Sequence, residues 1–181
     1  MTQFEIYATI DELFEFCAEY TSKRIYDHKE PDNNIKLVEH FSIRDDDKTI
    51  FKSFLKSAAG EVFSALRSAT KNLTDAFVFD NSAVIGTVPI GSVYFKIELD
   101  DSVNPTQLED ATQKAMNYYV LREWYIMKGF EQESIVPDKN YSYNLSIVKN
   151  YGQGGGTGGG ATSQTDTGAA GDISTRPHIT I

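Results

Sequence analysis

Apolar residues recur at helical spacing in four stretches of this chain, and a stretch of strand-like alternation lies between the second and the third. Leu13, Phe14, Cys17 and Tyr20 follow a Thr9-x-x-Glu12 capping box, so the spacing predicts a first helix over about 10–25. Residues 26–46 are polar and charged. A turn is expected at Pro31, Asp32, Asn33 and Asn34, and a short ordered piece around Ile35, Leu37 and Val38. Further on, Ile50, Phe54, Ala58, Val62 and Leu66 form one row, and Phe51, Leu55, Ala59 and Phe63 form a neighbouring one. Together they make a wide apolar stripe and predict a long second helix over about 47–71. Asp45, Asp46 and Asp47 stand at its start, where a helix N-terminus favours negative charge and the carboxylates stay solvated. A cation site there would need a companion carboxylate cluster, and none is evident.

Between residues 77 and 99 the period changes to two. Segments 77–79, 83–85 and 93–99 read as strands, separated by Asp80, Asn81 and Ser82 and by residues 86–91. Val93, Phe95, Ile97 and Leu99 lie on one side, opposite Tyr94, Lys96 and Glu98, as in a half-buried strand of a hairpin lying on helices. So small a sheet is marginal alone and needs its own helices, or a neighbour's strands, to cover it. Asn104-Pro105-x-Gln107 then opens a third helix over about 105–128, which Gly129 stops. Its first half is amphipathic through Leu108, Ala111 and Ala115. From Met116 to Met127 apolar residues, among them Tyr118, Tyr119, Val120, Leu121, Trp124, Tyr125 and Ile126, cover nearly the whole circumference. A helix apolar all round is buried from more than one side. Either the chain's own core or a second copy supplies the further cover, and a second copy makes Tyr119, Trp124 and Tyr125 protein-binding residues. Pro137 opens a fourth helix, with Tyr141, Leu145 and Val148 on one face.

The composition changes after Tyr151. Residues 152–172 are rich in glycine and small polar residues, a flexible tether that buries nothing. Residues 173–181 regain β-formers: Ile173, Thr175, Ile179, Thr180 and Ile181, interrupted by Arg176, Pro177 and His178. A sticky strand on a tether of about twenty residues is a reach-and-dock device, and its candidate protein-binding residues are Ile173, Arg176, Pro177, His178, Ile179, Thr180 and Ile181. The expected organisation is a helical body over 1–151 with a β insertion at about 77–99, the tether, and an extended C-terminal arm. In class terms this is mainly α with a small β insertion (α+β), a four-helix body with a β-hairpin.

Charge narrows the partners. The chain of 181 residues carries a net charge of −9, of which Asp166, Asp172 and Arg176 in the tail account for −1 and the body for −8. Sequence-independent nucleic-acid binding needs the opposite sign. A single cysteine, Cys17, excludes an internal disulfide and a cysteine metal site, and its place on an apolar face predicts a buried thiol. Residues 1–6 have no basic or apolar leader pattern, and no apolar run approaches the ~18 residues of a membrane span. Gly154, Gly156 and Gly159 match G-x-G-x-x-G, but they follow a helix and lead into more glycine, the wrong setting for phosphate. His28, His40 and His178 share no ligand spacing, no serine stands in a Gly-x-Ser-x-Gly elbow, and Glu12, Glu15 and Glu19 lie on a solvated helix face. The sequence therefore predicts no catalytic residue, no cofactor and no metal.

The order of parts resembles the head–tail connector (adaptor, or neck) proteins of tailed bacteriophages. The resemblance rests on residues 45–150: a long helix with an acidic opening (Asp45, Asp46, Asp47), a short β insertion, a second long helix with an aromatic centre (Tyr118, Tyr119, Trp124, Tyr125), a last helix and an extended arm. It is a likeness of pattern, and both the N-terminal forty residues and the long glycine tether depart from the minimal connector. The resemblance implies a virion protein that assembles in the host cytoplasm into a ring of about twelve copies at the portal–tail junction. Its neighbours would be the portal protein and tail or neck proteins, with DNA passing through the lumen without specific binding. The alternative is a non-viral intracellular adaptor with a tethered docking peptide, which predicts a monomer or dimer.

Overall fold

The chain enters its fold through a strand that the helical patterns around it conceal. The computed structural model describes residues 2–27, 41–67, 76–99 and 104–152. Strand β1 (Thr2–Thr9) runs antiparallel to β3 (Ser92–Leu99) along its whole length, from Thr2 opposite Leu99 to Thr9 opposite Ser92. Phe4, Ile6 and Ala8 alternate with Gln3, Glu5 and Tyr7, a period of two that marks a half-buried strand. Strand β2 (Ala76–Phe79) pairs with the other side of β3, so the sheet order is β1-β3-β2. Val93, Phe95 and Ile97 of β3 are buried as expected, but Tyr94 on the opposite side is buried too, its hydroxyl donating to Glu5 (3.1 Å).

The third expected strand, at 83–85, is not formed. Ile85 makes only an isolated bridge to Val88 across a tight turn in which Gly86 has φ 59°, and Val84 is 62% exposed. β-propensity needs a surface to pack on, and this loop has none. Asn81 organises it instead. Its side-chain Nδ2 donates to Ala83 O (2.7 Å) and Pro89 O (2.8 Å), while Ser92 N–H donates to its Oδ1 (2.7 Å).

Helix α1 (Ile10–Asp27) starts where β1 ends, through the expected capping box: Glu12 N–H donates to Thr9 Oγ1 (3.2 Å) and Thr9 N–H to Glu12 Oε2 (3.1 Å). The aspartate triplet forms a short 3₁₀ turn ahead of α2 (Lys48–Arg67), where Lys48 lies 3.4 Å from Asp45 and 3.8 Å from Asp11. Residues 68–71 of the expected second helix, and the turn and ordered piece expected within 28–40, lie outside the described residues. Helix α3 (Pro105–Met127) is capped by Asn104, whose side chain accepts from Thr106 N (3.1 Å) and Gln107 N (3.4 Å); Gly129 follows its end with φ 79°.

Helix α4 (Glu131–Gly152) begins six residues before Pro137, which therefore sits inside the helix rather than opening it. A tight connection makes the early start possible. Phe130 N–H donates to Tyr125 O (2.8 Å) and Glu133 N–H to Phe130 O (3.0 Å), so the chain reverses within a few residues of α3. Pro137 then forgoes one helical hydrogen bond in the second turn while its ring is buried.

The core is built around α3. Met116, Val120, Leu121, Trp124 and Tyr125 are at most 1% exposed, enclosed by α1, α2, α4 and β1 of the same chain. On the sheet side Phe95 and Phe77 stack at 5.4 Å, with Phe63 of α2 against Phe77 at 5.4 Å. Trp124 Nε1 donates to Phe41 O at 2.8 Å, and the Phe41 ring packs 5.0 Å from both Tyr125 and Phe130. The chain's own core thus covers most of the apolar circumference of α3, and leaves Ile126 and Met127 at its end exposed.

Candidate functional site

Of the residues expected to bind protein, the structure places Tyr119, Trp124 and Tyr125 inside the body, at 9%, 0% and 0% exposure. For Trp124 and Tyr125 this corrects the sequence expectation, because side chains that deep are core; Tyr119 keeps an edge on an open groove between α2, α3 and α4. Ile173, Arg176, Pro177, His178, Ile179, Thr180 and Ile181 lie outside the described residues.

Cys17 is fully buried, its Sγ 3.7 Å from Asn117 O, and burial pushes its thiol far above the ordinary value. The densest polar cluster joins α2, α3 and α4. Arg122 lies 4.5 Å over the Tyr119 ring and 4.9 Å over the Tyr141 ring, donates to Glu123 (2.7 Å) and Asp138 (3.2 Å), and so ties α3 to α4. Tyr141 donates its hydroxyl to Glu61, and burial first, that bond second, raises the Tyr141 hydroxyl above its ordinary value. A shallow, open groove beside this cluster is lined by Ser57, Gly60, Glu61, Ser64, Leu145 and Lys149. Among the described residues no three metal-ligating side chains come together, and no helix is long and apolar enough to cross a membrane.

Among the described residues the surface offers exposed apolar side chains, and besides Phe16, Ile50 and Tyr143 they fall into two groups close in sequence. One is the β2–β3 loop, where Val84 (62% exposed), Ile85 and Ile90 (60%) stand out around Gly86. The other flanks the α3–α4 turn, with Ile126, Met127, Ile135 and Val136 each between 42% and 47% exposed. These patches sit at opposite ends of α1. Its first residue, Ile10, donates to Gly91 O beside the loop at 2.8 Å, and Arg24 near its other end is in electrostatic reach of Glu133 beside the turn. Fourteen residues of helix separate these points by about 21 Å.

Sequence reasoning does not gather these residues into patches. It expects Ile85 in a strand and Ile126 in a helix covered all round, while Ile90, Ile135 and Val136 fall in connections to which it gives no role. The available signal was punctuation: Gly86, Pro89, Gly91 and Gly129 put these apolar residues where chain reversal leaves them outside. No protein-family model, curated protein or solved structure matches this chain.

Proposed function

We propose that this chain is a structural virion protein of the head–tail connector kind, assembling head-to-tail into a ring at the portal–tail junction. The observation that carries the reading is the pair of apolar patches at opposite ends of α1. Two different patches on one small body suit a heterologous contact, in which one face of a copy meets a different face of the next and rotation closes the series. The order of elements supports it: an acid-headed long helix, a β insertion, an aromatic-centred long helix, a last helix and a tethered arm. The charge supports it as well. A body at −8 lets DNA pass a lumen without sticking, because like charges repel. No catalytic group, cofactor or metal enters this reading; the partners are further copies of the chain, the portal protein, and tail or neck proteins.

Electron microscopy and analytical ultracentrifugation of the purified chain test the proposal. Closed rings of about a dozen copies are expected. A chain that stays monomeric or dimeric at tens of micromolar fits the tethered adaptor instead and overturns the ring reading.

A further inference from the structure

The sheet ends on β1, and the parity of its ladder decides which backbone groups face outward. Ile10 N–H donates to Gly91 O, so the even-numbered residues of β1 bond to β3 and the odd-numbered ones point away from the sheet. Two side-chain contacts agree with that parity: Gln113 Nε2 donates to Tyr7 O (3.3 Å), and Thr9 N–H donates to Glu12 Oε2 (3.1 Å). Both cap the end of the edge next to α1. The rest is open: among the described residues, the N–H groups of Gln3, Glu5 and Tyr7 and the carbonyls of Gln3 and Glu5 have no backbone partner. Phe4 is only partly buried at this margin, an apolar neighbour for one more strand. An uncovered edge of this kind is a template for strand addition.

The chain carries a segment that suits it. Residues 173–181 are nine residues against the eight of β1, end in the alternation Ile179-Thr180-Ile181, and bring Arg176 towards an edge that carries Glu5. A Gly-rich segment of the length of residues 153–172, taken as a random coil, would span about 25 Å root-mean-square. Its root and its own β1 touch the same helix: Tyr151 donates to the Gln107 side chain, about 9 Å along the α3 axis from the Gln113 that holds Tyr7. The tether is long enough to leave its own body. It is comparable to the width of one body, roughly 35 Å, and effective concentration is greatest where reach matches span. We propose that residues 173–181 of one copy add as a fourth strand along residues 3–7 of β1 in a second copy, an inference that rests on the ring reading above.

Residue-resolved hydrogen exchange on the full chain tests this, across concentrations that span assembly. In the assembled protein the amides of Gln3, Glu5 and Tyr7 are expected to exchange on the order of 100-fold more slowly than in the double variant Ile179→Asp/Ile181→Asp. The amides of Phe4, Ile6 and Ala8, bonded to β3, should be protected in both proteins and so report that the body is folded. Dilution to monomer should abolish the slowing. Gln3→Pro, which removes an outward N–H and leaves the β3 ladder intact, should weaken association about tenfold or more. Rings whose odd-numbered β1 amides exchange fast would leave the ring reading standing and overturn the edge assignment. Slowing that persists in the diluted monomer would place the arm on its own sheet, and that too overturns the proposal. Absence of any assembly sinks the ring reading and the edge assignment with it.

Discussion

Tyr125 and Trp124 are neighbours with equal burial and opposite polar bookkeeping. The indole N–H of Trp124 reaches the Phe41 carbonyl, whereas the Tyr125 hydroxyl is buried with no hydrogen-bond partner among the described residues. An unpaired buried hydroxyl keeps its desolvation cost and gains nothing in return. Tyr125→Phe is therefore expected to stabilise the body by about 1 kcal/mol, and Trp124→Phe to destabilise it by about 2–3 kcal/mol through the orphaned carbonyl and the space left behind. Urea unfolding of both variants decides this; a Tyr125→Phe chain less stable than the parent would mean that the hydroxyl has a partner. Tyr141 belongs to the same scale. Its folded value stands above the ordinary value near 10, through burial and then through Glu61. The native state therefore keeps this proton where the unfolded chain has lost it. The contribution is whole below about pH 10 and declines as pH rises further. Thermal unfolding from pH 8 to 11 should show that decline, and Tyr141→Phe should make it shallower.

At the scale of elements, what the sequence made legible was whatever a local signal encodes. The Thr9–Glu12 box, the Asn104 cap and the stop at Gly129 all stand where their spacing puts them, and the apolar rows of α2 face the core except at Ile50, which is exposed. The misreadings came where tertiary context decides. Strand β1 was overlooked because its alternation, Phe4, Ile6 and Ala8, is short and runs straight into the apolar row of α1. The start of α4 was set six residues late because a buried Pro137 is tolerated inside the helix once Phe130 has closed the turn. Apolar residues at 83–85 form no strand because no partner lies beside them. The candidate contact surface was the least legible part, since periodicity says which face of an element is apolar but not which apolar face remains uncovered. The β2–β3 loop gives a test at this scale. Asn81 holds it with three side-chain hydrogen bonds, so Asn81→Ala should cost about 2–4 kcal/mol. It should also loosen the presentation of Val84, Ile85 and Ile90, weakening association more than stability alone accounts for. Sedimentation under conditions where the variant stays folded measures that excess; association equal to the parent's would remove the loop from the interface.

For the whole molecule the deciding quantity is charge set against apolar contact. Each copy carries −9, so copies brought side by side repel, and in the proposed ring the patches at the two ends of α1 would have to overcome that repulsion. The range of the repulsion is set by salt: the screening length falls from ~10 Å at 0.1 M to ~3 Å at 1 M. Apolar contact is not weakened by salt and is strengthened by excluded anions such as sulfate. A ring held by Val84, Ile85 and Ile90 against the Ile126, Met127, Ile135 and Val136 surface should therefore tighten with salt, by about tenfold or more over that range. Ion pairs between copies would respond in the opposite sense, because screening removes attraction as readily as repulsion. Measuring the assembly constant at several sodium chloride concentrations separates the two. A constant that weakens with salt would assign the interface to charged side chains and leave the exposed isoleucines and valines without the role given to them here. If it tightens, the acidic surface is an opposing field that apolar contact overcomes.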